Sequence, residues 1–132
     1  MRRTTVLLVA CGLLAGCGDA TGPRDPVGTY TLRSVNGDPL PWRDPASTAS
    51  QSLTVTAGHI RLNADGTYSE ATSWTATNNQ ATLSDTDRYT GTWTRRGNNI
   101  ALTVSSGASY SVAWEGRTLT QVENGYTIVY RK

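Results

Sequence analysis

His59 is the only histidine of the 132-residue chain, so any arrangement in which an imidazole activates a serine has to use it. No serine lies in the strained turn, or beside the base, that such a nucleophile needs, and no catalytic residue is assigned. His59 has the opposite parity to Ile60 and Leu62, which places it on a solvated face. A metal site would need carboxylates converging on that imidazole, and no spacing supplies them, so neither metal nor cofactor is expected. Asp85 and Asp87 flank Thr86 in an SDTD segment that reads as a solvated turn. Glu70 differs, because it shares the parity of Tyr68 and Trp74 and would point into the interior of a closed sheet. A carboxylate there must be paired, hydrated or hold its proton more tightly. It would meet a polar group of a ligand; the alternative is a position near an open rim.

Cysteine is the other reactive residue type, present as Cys11 and Cys17. Arg2 and Arg3 precede an apolar run from Val6 to Ala15, and Ala15-Gly16 are the small residues a signal peptidase requires. The run is shorter than the roughly 20 apolar residues of a membrane-spanning helix. Basic start, apolar run and small-small-Cys ending together resemble the lipobox of bacterial lipoproteins, in which the cysteine thiol is diacylated and becomes the new N-terminus. The resemblance implies a signal peptide over 1–16, a lipidated Cys17 with a flexible tether through residue 26, and a folded domain over 27–132. At about 0.8 kcal/mol per buried methylene, two or three acyl chains hold a small domain on a membrane essentially permanently. Cys11 would be discarded, which excludes a disulfide or zinc site in the folded part. Gly18 follows Cys17 where the inner-membrane retention signal of enteric bacteria has Asp, so the expected location is the outer membrane, facing the periplasm.

Of 12 Lys and Arg, Arg2 and Arg3 belong to the leader, leaving ten basic against 10 acidic side chains. That balance argues against nucleic acid and against electrostatic attachment to a membrane. Thr, Ser, Gly, Val, Tyr and Trp dominate and no helical repeat follows the leader, an all-β composition. Turn signals at Asp65-Gly66, Asn78-Asn79, Gly97-Asn98-Asn99, Ser106-Gly107, Glu115-Gly116 and Asn124-Gly125 separate alternating runs. Ile100, Leu102 and Val104 share a face, as do Tyr110, Val112 and Trp114, then Tyr126, Ile128 and Tyr130. Eight strands are expected, over 27–35, 51–63, 66–77, 81–96, 99–105, 108–115, 117–123 and 125–131. Parity changes within the second at Gly58, where a bulge is expected. Uncovered antiparallel strands would leave two open edges, and closing into a barrel removes both.

Gly28-Thr29-Tyr30, Gly66-Thr67-Tyr68 and Gly91-Thr92-Trp93 repeat one piece of strand chemistry: a glycine two residues before a large aromatic. With Gly28 to Pro41, Leu62 to Tyr68 and Ile128 to Arg131, they resemble the lipocalin-like domains of small bacterial lipoproteins. The resemblance implies an eight-stranded antiparallel up-and-down barrel of the calycin type, monomeric and not an enzyme. It also implies that Gly28 and Tyr30 close one barrel end beneath Arg131. The long connection Asn36 to Ser50 lies over the mouth of such barrels, where Trp42 either gates a cavity or plugs it. Trp42, Tyr68, Glu70, Trp74 and Trp93 are the candidate residues for a small apolar or amphipathic ligand. Ser106-Gly107-Ala108-Ser109-Tyr110 also resembles the loop of lipoprotein inhibitors of c-type lysozyme, with Ser106 and Tyr110 as its signature. An envelope interaction module, or a purely structural lipoprotein, is the alternative to a ligand carrier.

Overall fold

A computed structural model of the chain describes residues 25–132. Every regular element among them is a strand: β1 (Gly28–Val35), β2 (Asp38–Pro39), β3 (Trp42–Arg43), β4 (Gln51–Leu62), β5 (Thr67–Asn78), β6 (Ala81–Arg96), β7 (Asn99–Val104), β8 (Ser109–Glu115), β9 (Thr118–Glu123) and β10 (Tyr126–Arg131). The eight longer strands pair antiparallel in chain order, and β1 then closes the ring by pairing with β10 on one edge and β4 on the other. Gly28 to Thr31 face Leu62 to His59, while Thr31 to Val35 face Arg131 to Ile128. The result is the eight-stranded closed antiparallel barrel that strand alternation predicts.

Two irregularities tune which side chains point inward. In β4 the register slips between Val55 and Ala57, leaving Thr56 as the extra residue. The expected bulge is therefore at Thr56 and not at Gly58. Gly58 is needed for a different reason: a Cβ there would lie 3.0 Å from Leu32 Cδ2, so its bare backbone makes room for the Leu32 side chain. In β1 the register slips around Arg33, which lets Tyr30, Leu32 and Val35 all point inward although their spacing is not strictly two.

The core is Tyr30, Ile60, Leu62, Tyr68, Ile100 and Leu102, joined by Val112, Trp114, Leu119 and Tyr130, all of them buried. Most of these residues crowd the end where β1 begins and β10 finishes. The opposite end is open and uneven, because β7 pairs with β6 only over Gly91 to Arg96. The first half of β6 therefore stands beyond the rim as a flap with β5 and the start of β4. Hydroxyl pairs run along the outer face of this flap, Ser73 with Thr86 at 2.9 Å, Thr75 with Ser84 at 2.8 Å and Thr77 with Thr82 at 3.1 Å. Asp85 and Asp87, expected in a turn, lie within β6. The long β1–β4 connection is likewise not structureless, since β2 pairs back onto β1 and β3 onto β4.

Gly91 is where β6 joins β7, and a Cβ there would sit 1.9 Å from the Thr103 carbonyl oxygen and 2.9 Å from Tyr68 Cε1. Because the first obstacle is backbone, Gly91→Ala is expected to cost about 2–3 kcal/mol in urea unfolding. Gly58→Ala meets a flexible leucine side chain and is expected to cost measurably less. An unaltered midpoint for Gly91→Ala would show that β6 and β7 are not held this closely.

Candidate functional site

The two barrel ends have opposite chemistry. At the closed end the Tyr30 hydroxyl donates to the Pro26 carbonyl at 2.6 Å and accepts the indole N–H of Trp114 at 3.0 Å. The Arg95 guanidinium stacks 4.3 Å from the Trp114 ring, and Lys132 Nζ lies 5.0 Å from the Tyr30 ring centroid. The cation over Tyr30 is thus Lys132 and not Arg131. Period two explains the correction: Tyr130 points inward, so Arg131 points out and Lys132 returns to the inner side. Gly28 keeps that lysine in place, since a Cβ on it would lie 3.1 Å from Lys132 Cδ. Lys132 Nζ also donates to the carbonyls of Asp25 at 3.0 Å and Val27 at 2.8 Å. Asp25 and Pro26, expected in the flexible tether, are therefore fastened to the barrel.

At the open end lies a cavity of about 330 Å³. Its apolar wall is built from inward positions of three strands, Leu32 and Val35 of β1, Leu53 and Val55 of β4, and Ile128 of β10. Aromatic rings form a second wall: Trp42, Tyr89, Tyr126 and Tyr130. Trp42 is buried and meets Tyr126 edge-on, with ring centroids 5.5 Å apart and planes at 82°. It is wall and cover at once. The polar lining is Glu70, Asp87, Glu123 and Asp44, with Gln121, Thr72 and Asn124, and among the described residues no lysine, arginine or histidine joins it.

Glu70 sits half-buried and accepts a hydrogen bond from the Tyr110 hydroxyl. Burial raises its pKa above the ordinary carboxylate value, the Tyr110 hydrogen bond opposes the rise, and the nearby charge of Glu123 adds to it. Burial is also the main reason the Tyr110 and Tyr130 hydroxyls hold their protons well above the usual phenol range, with Glu70 contributing in both cases. Gln121 is 6% exposed and donates from Nε2 to Glu123 Oε2 at 2.9 Å. Its Oε1 is buried with no hydrogen-bond partner.

Trp42 and Glu70 are thus brought together on the cavity, and three other candidate ligand residues stand elsewhere. Tyr68 is buried below Glu70, its hydroxyl beside that of Tyr110 but outside hydrogen-bond geometry. Trp74 lies on the flap, its indole N–H donating to Asp87 Oδ2 at 3.0 Å. Trp93 belongs to the other end of the barrel, where its indole N–H donates to the Asn63 carbonyl at 2.9 Å. Ser106 is exposed in the β7–β8 turn, whereas Tyr110 reaches inward to Glu70. Cys17 lies outside the described residues. Asp87, expected in a solvated turn, and Tyr89 share the parity of Trp93, and Gln121 and Glu123, for which the sequence suggested no role, share that of Leu119.

Since burial favours protonated Glu70, the folded state binds this proton more tightly than the unfolded chain. Its contribution to stability is present at low pH and is lost as pH rises from the ordinary glutamate range through the raised folded-state value. Glu70→Gln is expected to gain on the wild type in urea unfolding as pH rises through that window. Tyr110→Phe removes the hydrogen bond that favours the ionised form, so the NMR titration midpoint of Glu70 is expected to move up. A downward move would mean that the Tyr110 hydroxyl serves the protonated acid instead.

A family model described as a lipocalin-like domain matches residues 27–130. No curated protein and no solved structure matches the chain significantly. The matched span runs from the residue before β1 to Tyr130 near the end of β10, and so takes in all ten strands and every wall of the cavity. By its closed barrel and by this match, the chain belongs to the lipocalin-like domain family.

Proposed function

We propose that this protein is a lipid-anchored cell-envelope lipoprotein whose barrel binds a small apolar or amphipathic molecule and performs no catalysis. The observation that carries the reading is the cavity of about 330 Å³ at the open end, walled by aliphatic and aromatic side chains with a few convergent polar groups. Binding sites for small molecules have this make-up and begin near about 300 Å³. Lipocalin-like barrels serve binding more than chemistry, which agrees with a chain whose single histidine, His59, stands exposed on the outer face.

Attachment through an acylated Cys17 gives the barrel an orientation. The chain enters the barrel at the closed end, where Lys132 holds Asp25 and Val27. The mouth lies at the opposite end, so a short tether leaves it facing away from the bilayer and open to the periplasm. A membrane-bound carrier needs that arrangement to exchange a ligand with the aqueous space.

Tryptophan quenching and emission of the neutral, polarity-sensitive fluorophore prodan test the binding reading, and both are expected to respond in the wild type. Thr72→Trp fills the cavity from β5 and is expected to weaken prodan binding about tenfold or more. Equal binding by this variant, with its fold intact by circular dichroism, would place the fluorophore elsewhere. The anchor is tested separately: labelled palmitate is expected on the wild type and absent from Cys17→Ser, which should leave the membrane fraction. Membrane retention of an unlabelled Cys17→Ser would overturn the lipid anchor.

A further inference from the structure

We propose that the cavity selects an organic cation, a protonated amine carried on an apolar or aromatic body, an inference that rests on the small-molecule reading above. The charged groups at the cavity are all acids, and although each already accepts one hydrogen bond, each keeps lone pairs for a further donor. Glu70 and Glu123 reach it from β5 and β9, Asp87 from β6 and Asp44 from the β1–β4 connection, and no basic side chain among the described residues lines it. Arg43, next to the wall residue Trp42 in β3, directs its guanidinium to the Thr48 carbonyl at 3.0 Å.

A group of acids alone does not define a site, and the independent observation is Gln121. A carboxylate accepts hydrogen bonds and cannot donate them when ionised, so the contact to Glu123 fixes the Gln121 amide with its nitrogen on that side. Its carbonyl oxygen, buried on the cavity wall, is left without a donor. An unsatisfied buried acceptor is costly, and a turn of the Gln121 amide that brings this oxygen to the cavity surface lets a ligand N–H relieve it. An ammonium has three donors and no acceptor. It can therefore serve Gln121 Oε1 and a carboxylate together, which an alcohol does only in part and an acid not at all.

The rings complete the fit. A cation near the faces of Trp42, Tyr126 and Tyr89 gains from their quadrupoles, and the apolar body of the ligand meets Leu32, Val55 and Ile128. Leu53 and Leu83 extend apolar surface up the flap, 38% and 61% exposed, which suits an amphipathic molecule longer than the cavity is deep. A bare metal ion fits less well. No group of three or more His, Cys, Asp or Glu among the described residues is gathered closely enough to hold one.

Phenethylamine, phenethyl alcohol and hydrocinnamate share one apolar body and differ in charge, and each is titrated by tryptophan quenching and by displacement of prodan. The amine is expected to bind about tenfold or more tighter than the alcohol, a difference of about 1.4 kcal/mol, with the acid weakest. Glu70→Gln is expected to bring the ratio of amine to alcohol affinity close to unity. Gln121→Met, which keeps the side-chain volume, should lower the same ratio. Equal affinity for amine and alcohol, or preference for the acid, overturns the cation while prodan binding leaves the small-molecule reading standing. Displacement of the amine by calcium chloride would overturn it in favour of a metal site. Failure of prodan and all three compounds would remove both readings.

Discussion

β1 is hydrogen-bonded along both edges, and this double pairing is the constraint on which everything else depends. An antiparallel sheet of eight strands has a buried face only if something covers it, and no helix is present among the described residues to do so. By taking β10 on one side and β4 on the other, β1 makes the sheet cover itself. The alternation of large and small side chains then acquires an inside and an outside. The bulges at Thr56 and Arg33 belong to the same constraint, because each restores inward parity after the strand has had to bend.

Closure also separates the two tasks of the interior. At one end Tyr30, Trp114 and Trp93 fill the space, and their polar edges are satisfied by Pro26, by one another and by Asn63. Buried aromatic hydroxyls and indoles need such partners, and finding them makes that end rigid. At the other end the strands diverge into a flap and the inward positions turn acidic. The core thus leaves room for a cavity only where the barrel is longest on one side.

Much of this was legible before any coordinates. Alternation and Gly- or Asn-containing turns located the strands to within a residue or two, and closure followed from the need to bury one face without helices. The misreadings were of parity and of long-range pairing. The family resemblance points to Arg131 as the capping cation, although Tyr130 occupies the inward position beside it. Gly58 attracted the bulge because a parity change and a glycine coincided, whereas the slip falls at Thr56 and Gly58 accommodates Leu32. The SDTD segment looked like a turn because four small polar residues carry no strand signature. It is a strand because β5 pairs with it along its whole length. Gln121 and Glu123 went unnoticed for a related reason: a polar residue at an inward position stands out only once the open end of the barrel is known.

The placement of Glu70 shows what a carboxylate inside the barrel does to stability. Burial raises its pKa, Glu123 adds a like charge nearby, and the Tyr110 hydrogen bond only partly compensates. A leucine at that position would remove the buried charge and its repulsion from Glu123 at the expense of the acceptor for Tyr110, and Leu62 on the neighbouring strand shows that the interior accepts one. The ionised form of Glu70 therefore lowers the stability of the barrel, and the closed-end core must be large enough to tolerate it. For the cation proposed above the cost is reversed on binding, because the field that destabilises ionised Glu70 is the field that would attract it. The same electrostatic term thus opposes folding and favours binding. That sign change separates a lined binding site from an ordinary imperfection of packing.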